Sequence, residues 1–370
     1  MTLHVVCLDG TGQVKVQPNP TNIARIFDSL GGAPADAGNG SYETVTAPPP
    51  ALTGKYLPGV GTQGDPVLKI LGNAFGDGIA EPIVRGYTYL SRVYAAGDGI
   101  IITGFSRGAT AARALAGLIS GQGLLNSANY DPTDKTTAYM RAVAAWYAYR
   151  EPNPTFADQA RLDVISGMLG QQIPKLNPAD YTAPPVIQAV GVFDTVSSLG
   201  APHVDSTGDT VFDFSICNTV LSDNVRQGFH ALSADESRDL FSPTFWTDRA
   251  GVVQQVFPGC HSDVGGGFPH RGLSDAALDW MLTQLITAGL QFDLTKLNPP
   301  LINNPLDLAE DDGASFPFNL TTHHPRQFPD CAAASDSLKD RWNKPAQMLP
   351  ASQVSPYKAV GVYADGRTLL

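Results

Sequence analysis

The sequence predicts an α/β fold: a mostly parallel sheet with helices on both faces. Three observations carry this. Short apolar, β-branched runs recur at residues 3–8, 99–103 and 186–193, suited to strands covered on both sides, and 252–257 reads as a further strand. Between them lie segments with apolar residues at helical spacing. The chain also stops at strand ends in turns rich in reactive side chains, namely Asp9-Gly10-Thr11, Ser106, Asp194 and His261. In open α/β sheets ligands gather at the carboxyl ends of the strands, so these four turns are expected to meet on one rim.

Taken in order, residues 3–8 read as a buried strand ending in Asp9-Gly10-Thr11-Gly12. Residues 21–30 read as a helix capped by Asn22, with Ile23, Ile26, Phe27 and Leu30 on one face. A Gly/Ala/Pro-rich loop is expected from 31 to about 50, and Lys55-Tyr56-Leu57 suits a strand opening into Pro58-Gly59-Val60-Gly61-Thr62. Residues 79–96 place Ile83, Tyr87, Leu90 and Tyr94 on one helical stripe. The run 99–103 is then a strand, Gly104-Phe105-Ser106-Arg107-Gly108 a sharp turn, and the Ala/Leu-rich 109–119 a helix. Helices are expected at 136–149, 159–169, 223–232 and 273–288, and strands at 186–193 and 252–257. From about 290 the chain is Pro/Asn-rich and reads as a wrapping segment with a short strand or two near 359–363. The expected organisation is one domain over 1–370, with a helical insertion, or lid, at 124–185 and the wrapping segment at 290–370.

Composition narrows the function. Of 370 residues, 43% are hydrophobic and only 16% charged, which permits a large core and argues against disorder. The net charge of −11 argues against nucleic acid as a partner and against electrostatic adhesion to anionic membranes. It leaves uncharged lipids and esters open. Cys7, Cys217, Cys260 and Cys331 include no C-x-x-C pair, so neither a zinc site nor a redox dithiol is expected. No cofactor is implied. The first residues lack a basic segment followed by a long apolar run, and no apolar stretch would span a bilayer. The expectation is a chain made in the cytoplasm without a cleavable signal, leaving the cell, if at all, by a signal-independent route.

The G-x-S-x-G pentapeptide at 104–108, with a strand before it and a helix after it, has the context of a nucleophile elbow. A serine hydroxyl is a poor nucleophile unless a base lies within hydrogen-bond reach and a third group orients that base. Histidine suits the base role, and a buried carboxylate fixes its tautomer. Ser106, Asp194 and His261 occur in the order serine, acid, histidine, each past a strand end. Asp263 is the rival acid, with bracing of the Gly265-Gly266-Gly267 loop as its other reading. His4 reads as structural, His230 as part of the helix at 223–232, and His203 and His270 as pocket groups. The two oxyanion donors are expected from the N–H of Arg107 and from Gly10 or Thr11. The Asp9-Gly-Thr-Gly turn lacks the patterns of a phosphate loop; Asp9 is a supporting residue of the rim.

These segments, together with Gly191-Val192-Phe193-Asp194-Thr195-Val196, Leu232-Ser233-Ala234-Asp235-Glu236-Ser237-Arg238 and Pro258-Gly259-Cys260-His261-Ser262-Asp263-Val264-Gly265-Gly266-Gly267, carry a resemblance. The chain looks like the α/β-hydrolase domain family that includes the first class of type VI secretion lipase effectors, over residues 3 to about 289. The resemblance implies a Ser-Asp-His phospholipase acting on glycerophospholipids, with Ser106, Asp194 and His261 in those roles. It further implies a lipid or ester substrate, transient contact with a membrane surface, export by the type VI route, and an inhibitory or secretion-machinery protein as partner. Two readings compete with it: a carboxylesterase or polyester depolymerase on short esters, and an inactive hydrolase-fold binding module.

Overall fold

The computed structural model describes residues 1–46, 51–59, 79–150, 163, 166–167, 172–196, 203–204, 210–211, 219–314, 318–349 and 354–370. Nine strands form the main sheet: β1 (Leu3–Leu8), β2 (Ala35–Gly38), β3 (Ser41–Thr46), β4 (Leu52–Leu57), β5 (Gly99–Phe105), β6 (Ile187–Phe193), β7 (Val225–Ser233), β8 (Val252–Phe257) and β9 (Ala332–Ala334). Their spatial order is β9-β8-β7-β6-β5-β1-β4-β3-β2. The strands from β9 to β4 run parallel, and only the β2–β3 hairpin joins antiparallel. The mostly parallel α/β sheet expected from the sequence is therefore present.

The strands sort their side chains between two layers, as a pleat of period two requires. Val6, Leu8, Ile100, Ile102, Val190 and Val192 face α2 (Ala80–Val93), α3 (Arg107–Gln122) and α4 (Lys135–Arg150). Val5, Cys7, Ile101, Ala189 and Phe193 face α1 (Asn22–Ser29) and a helix at Gly272–Thr287. A third cluster joins Leu232 and Val256 to Phe328, Ala332, Leu338 and Tyr357. The C-terminal segment thus adds the edge strand β9 and covers the end of the sheet.

Three expectations are corrected. Residues 31–50 contain the β2–β3 hairpin, turned by Asn39 and Gly40, both at positive φ. Residues 223–232 are not a helix: they are mostly β7, paired in parallel with both β6 and β8. Five consecutive buried residues there carry no helical stripe, and pairing on two sides decides the matter. The cap of α1 is Thr21, whose hydroxyl accepts from the Ala24 N–H, whereas Asn22 donates to the Val264 and Ser274 carbonyls. Within 124–185, α4 buries Ala142, Val143 and Trp146 against α2 and α3; of the helix expected at 159–169 only residues 163, 166 and 167 are described, each helical, and the segment Val60-Gly61-Thr62 lies outside the described residues.

The turn after β5 is crowded. A Cβ on Gly108 would lie 2.3 Å from the Leu8 carbonyl oxygen and 2.4 Å from that of Asp9. Alanine normally favours a helix over glycine by about 1 kcal/mol. Here both obstacles are backbone, so the start of α3 must move off β1. Gly108→Ala should therefore destabilise the fold by about 1–3 kcal/mol, read as a lower urea midpoint.

Candidate active site

Ser106 sits between β5 and α3, at φ 57 and ψ −126. This left-handed φ is unfavourable for a residue with a Cβ, and such strain costs on the order of 1–3 kcal/mol. It is held from both sides: the Ser106 N–H donates to the Phe193 carbonyl, and the Ala109 and Thr110 N–H groups return to the Ser106 carbonyl. The result is a serine thrust off the strand end at the start of α3. Arg107 is the first residue of that helix.

Asp194 follows β6 at φ 42 and is fully buried. His261 opens α5 (His261–Gly265), capped at Cys260 after the β8 strand. Its Nδ1 lies 2.6 Å from Asp194 Oδ2. The ring is held between Phe105, at 4.7 Å between centroids, and Phe241, at 5.0 Å and edge-on. Its main-chain N–H donates to Glu236 Oε2, a carboxylate itself gripped by Arg238. An ionised carboxylate only accepts, so the bond to Asp194 puts the ring proton on Nδ1 and leaves the lone pair on Nε2. Among the described residues that Nε2 is buried without a hydrogen-bond partner. An imidazole so oriented is able to take a proton from a hydroxyl and hand it on.

No motif in the sequence points to Arg326. This buried arginine reaches in from the C-terminal segment and grips Asp194 with both arms, Nη1 to Oδ1 at 2.6 Å and Nη2 to Oδ2 at 2.9 Å. The same arms donate to the Ser233 and Phe241 carbonyls at 3.0 and 2.6 Å. Asp194 Oδ1 also accepts the Ser233 N–H at 3.0 Å. Burial alone would push the Asp194 carboxyl up. The Arg326 charge and the bonds from His261 and Arg326 outweigh it and hold the group well below the usual carboxylate range. A lone arginine in a segment with little periodicity carries no motif; the signal sits in Asp194, whose burial demanded a cation.

His230, which the sequence placed in a helix, belongs to this support. It lies on β7, fully buried, and its Nε2 accepts the Thr195 N–H at 3.1 Å. Burial, helped by the nearby Arg113 charge, pushes it down to about 3. It therefore stays neutral and fixes the turn that carries Asp194.

On the other side of the serine, Asp9 organises the turn after β1. It accepts from Gly10 N–H, Thr21 Oγ1 and Tyr56 OH at 2.7, 2.7 and 2.6 Å. Burial raises it to about 6 despite those bonds. A Cβ on Gly10 would lie 3.4 Å from Ser106 Cβ, so this turn adjoins the serine. The Gly10 N–H is committed to Asp9, which corrects the expectation that it is a donor to substrate. Thr11 is the member of the turn that remains, and its buried hydroxyl has no partner among the described residues.

Asp263 is not beside the imidazole nitrogens. Its Oδ2 accepts from the Cys260 and Glu310 N–H groups, both at 3.0 Å. It ties α5 to the C-terminal segment, while the adjoining glycine loop is held by Asn22 through the Val264 carbonyl. His203 lies in a two-residue strand, His203–Val204, and its side chain falls outside the described residues. Among the described residues Cys7, Cys260 and Cys331 are free, no group of side chains is arranged to hold a metal, and no helix is long and apolar enough to cross a membrane.

Comparison with known proteins gives the following. One protein-family model, described as "T6SS, Phospholipase effector Tle1-like, catalytic domain", matches residues 3–284. An uncharacterized protein of Saccharomyces cerevisiae is 26% identical over 257 residues, which is 66% of this chain and 32% of that protein. The crystal structure of an uncharacterized protein from Pseudomonas aeruginosa is similar at 16% identity and a TM-score of 0.38, over 79% of this chain and 46% of that one. A structure of the Tle1 effector bound to the VgrG spike of the type VI secretion system is similar at 17% identity and a TM-score of 0.41, over 73% of this chain and 52% of that one. The chain thus spans about a third of the yeast relative and about half of each solved chain.

Asp263 yields a prediction. Burial raises its carboxyl to about 8, so the folded protein keeps it protonated where the unfolded chain releases the proton. The group therefore costs stability progressively as pH rises from its unfolded value of about 4 towards 8, and no further above that. In Asp263→Asn this cost is absent. The urea midpoint of the variant, relative to the unaltered protein, should improve between pH 5 and pH 8.5; a constant difference would contradict it.

Proposed function

The chain belongs to the family of Tle1-like catalytic domains of type VI secretion phospholipase effectors, and from that premise we propose that it is a serine hydrolase of lipid carboxylic esters, acting on glycerophospholipids. The observation that carries the serine mechanism is the Nδ1 bond of His261 to buried Asp194, which follows the strand adjacent to the one that ends in the Ser106 elbow. The strand-end placement of the three residues, in the order serine, acid, histidine, supports an α/β-hydrolase-like arrangement.

In this mechanism Ser106 Oγ attacks the ester carbonyl carbon and its proton passes to His261 Nε2. Asp194 keeps the imidazole in the reactive tautomer and stabilises the imidazolium. The tetrahedral oxyanion accepts hydrogen bonds from the Arg107 N–H, at the start of α3, and from Thr11 in the turn organised by Asp9. Collapse expels the alcohol, which takes the proton from His261. Water, deprotonated by the same nitrogen, then frees the fatty acid from Ser106. The step needs no metal. The family supports export by the type VI route, with secretion-machinery and inhibitory proteins as partners and a membrane surface as the place of action.

The test is a panel of glycerophospholipid vesicles and soluble esters of increasing acyl length, with products identified by mass. Fatty acid release from phospholipid is expected, and rates that fall away beyond short soluble esters would replace the phospholipase reading with an esterase one. Ser106→Ala should lower turnover at least about 10³-fold while keeping the fold.

The two carboxylates separate in the same assay. Asp194→Asn should cost about 10⁴-fold in kcat through the wrong tautomer. Asp263→Asn replaces a protonated acid by an amide of the same shape and should retain activity within a few-fold. The opposite ranking would move the acid role to Asp263.

A further inference from the structure

We propose that Arg326 is a positioning residue of the hydrolytic centre, which holds Asp194 in the orientation His261 needs and, by sharing its charge, widens the pH range of activity on the acid side. This deepens the serine-hydrolase reading above and rests on it. Arg326 lies beyond residues 3–284, the stretch the family match covers. The C-terminal segment therefore adds the cation to a group whose other members, Ser106, Asp194 and His261, lie within that stretch.

The geometry is specific. The guanidinium meets both carboxylate oxygens and also the Ser233 and Phe241 carbonyls. A planar fork with fixed donors matches this set, and a lysine ammonium does not. Three parts of the site are thereby tied together: the carboxylate, the end of β7, and the turn whose Phe241 ring packs on His261. The arginine is itself held by backbone. Its carbonyl accepts the Val362 N–H, and the following pair Gln327–Phe328 runs parallel to Val362–Tyr363.

The electrostatic consequence follows from Coulomb's law at short range. A carboxylate 2.6 Å from the imidazole favours the imidazolium, which is inactive as a base. A guanidinium on the same carboxylate offsets that preference and keeps the imidazole available at lower pH. The other charges around His261 are Glu236 with its partner Arg238 and Asp312 beside Arg238, while Asp263 on its own helix is kept protonated by burial. None of them contacts Arg326 in the described hydrogen bonds, so substitution at 326 leaves them in place.

The experiment compares Arg326→Met and Arg326→Lys with the unaltered protein, by pH–rate profiles on a soluble ester and by proton NMR. The NMR readout is the downfield signal of the proton between His261 Nδ1 and Asp194, assigned by its loss in His261→Gln. For Arg326→Met, kcat should fall 10²-fold or more with KM within a few-fold, and both the acid limb and the NMR titration should move up by about one pH unit. For Arg326→Lys, which keeps the charge and loses the fork, kcat should fall about tenfold with the acid limb unmoved. A folded Arg326→Met with unchanged kcat and unchanged limb overturns the proposal. If the Met variant does not fold, the Lys variant decides: a displaced limb or an undiminished kcat overturns the proposal. Ser106→Ala run alongside separates the two readings, because hydrolysis that survives it defeats the serine mechanism, while the NMR titration still reports on Arg326.

Discussion

A single buried negative charge organises this site. Asp194 has no access to water, and a carboxylate taken out of water without compensation costs several kcal/mol. Everything around it answers that cost. His261 and Ser233 donate to its two oxygens, and Arg326 supplies a full opposite charge through two bonds. The carboxylate in turn selects the histidine tautomer, and with it which ring nitrogen is left to act. Charge compensation and chemical readiness are the same set of contacts.

The second constraint is backbone conformation. Ser106 and Asp194 both hold positive φ without being glycine, and they sit at the ends of adjacent strands, joined through the Ser106 N–H and the Phe193 carbonyl. Strain of this kind survives only where packing overdetermines it. Gly108 permits the close approach of α3 to the ends of β1, and His230 fixes the turn after Asp194. The rim is therefore rigid on its protein side, as a preorganised site requires.

Much of this was legible in the sequence. Largely apolar runs marked β1, β5 and β6, because strands covered on both faces bury most of their side chains. The candidates Ser106, Asp194 and His261 were picked out because each follows a strand-like run. What was hidden depended on long-range pairing or on compensation. In the β2–β3 hairpin, β2 is exposed and Gly/Ala-rich, and β3 is drawn into the sheet by its pairing with β4. The strand β7 read as a helix because local spacing in a short buried run does not distinguish the two states, and only its neighbours β6 and β8 do. Gly10 looked like an open donor until Asp9 was seen to occupy it. Arg326 was silent because its role is defined entirely by a residue far away along the chain.

That separation gives the site a history during synthesis. Ser106, Asp194 and His261 leave the ribosome in that order, and the central strands are complete before the arginine that grips the carboxylate has been translated. Domains fold from their N-terminal side as they emerge. A nascent chain therefore holds Ser106, Asp194 and His261 for a time with the carboxylate still ungripped, and that contact closes only once residue 326 has emerged.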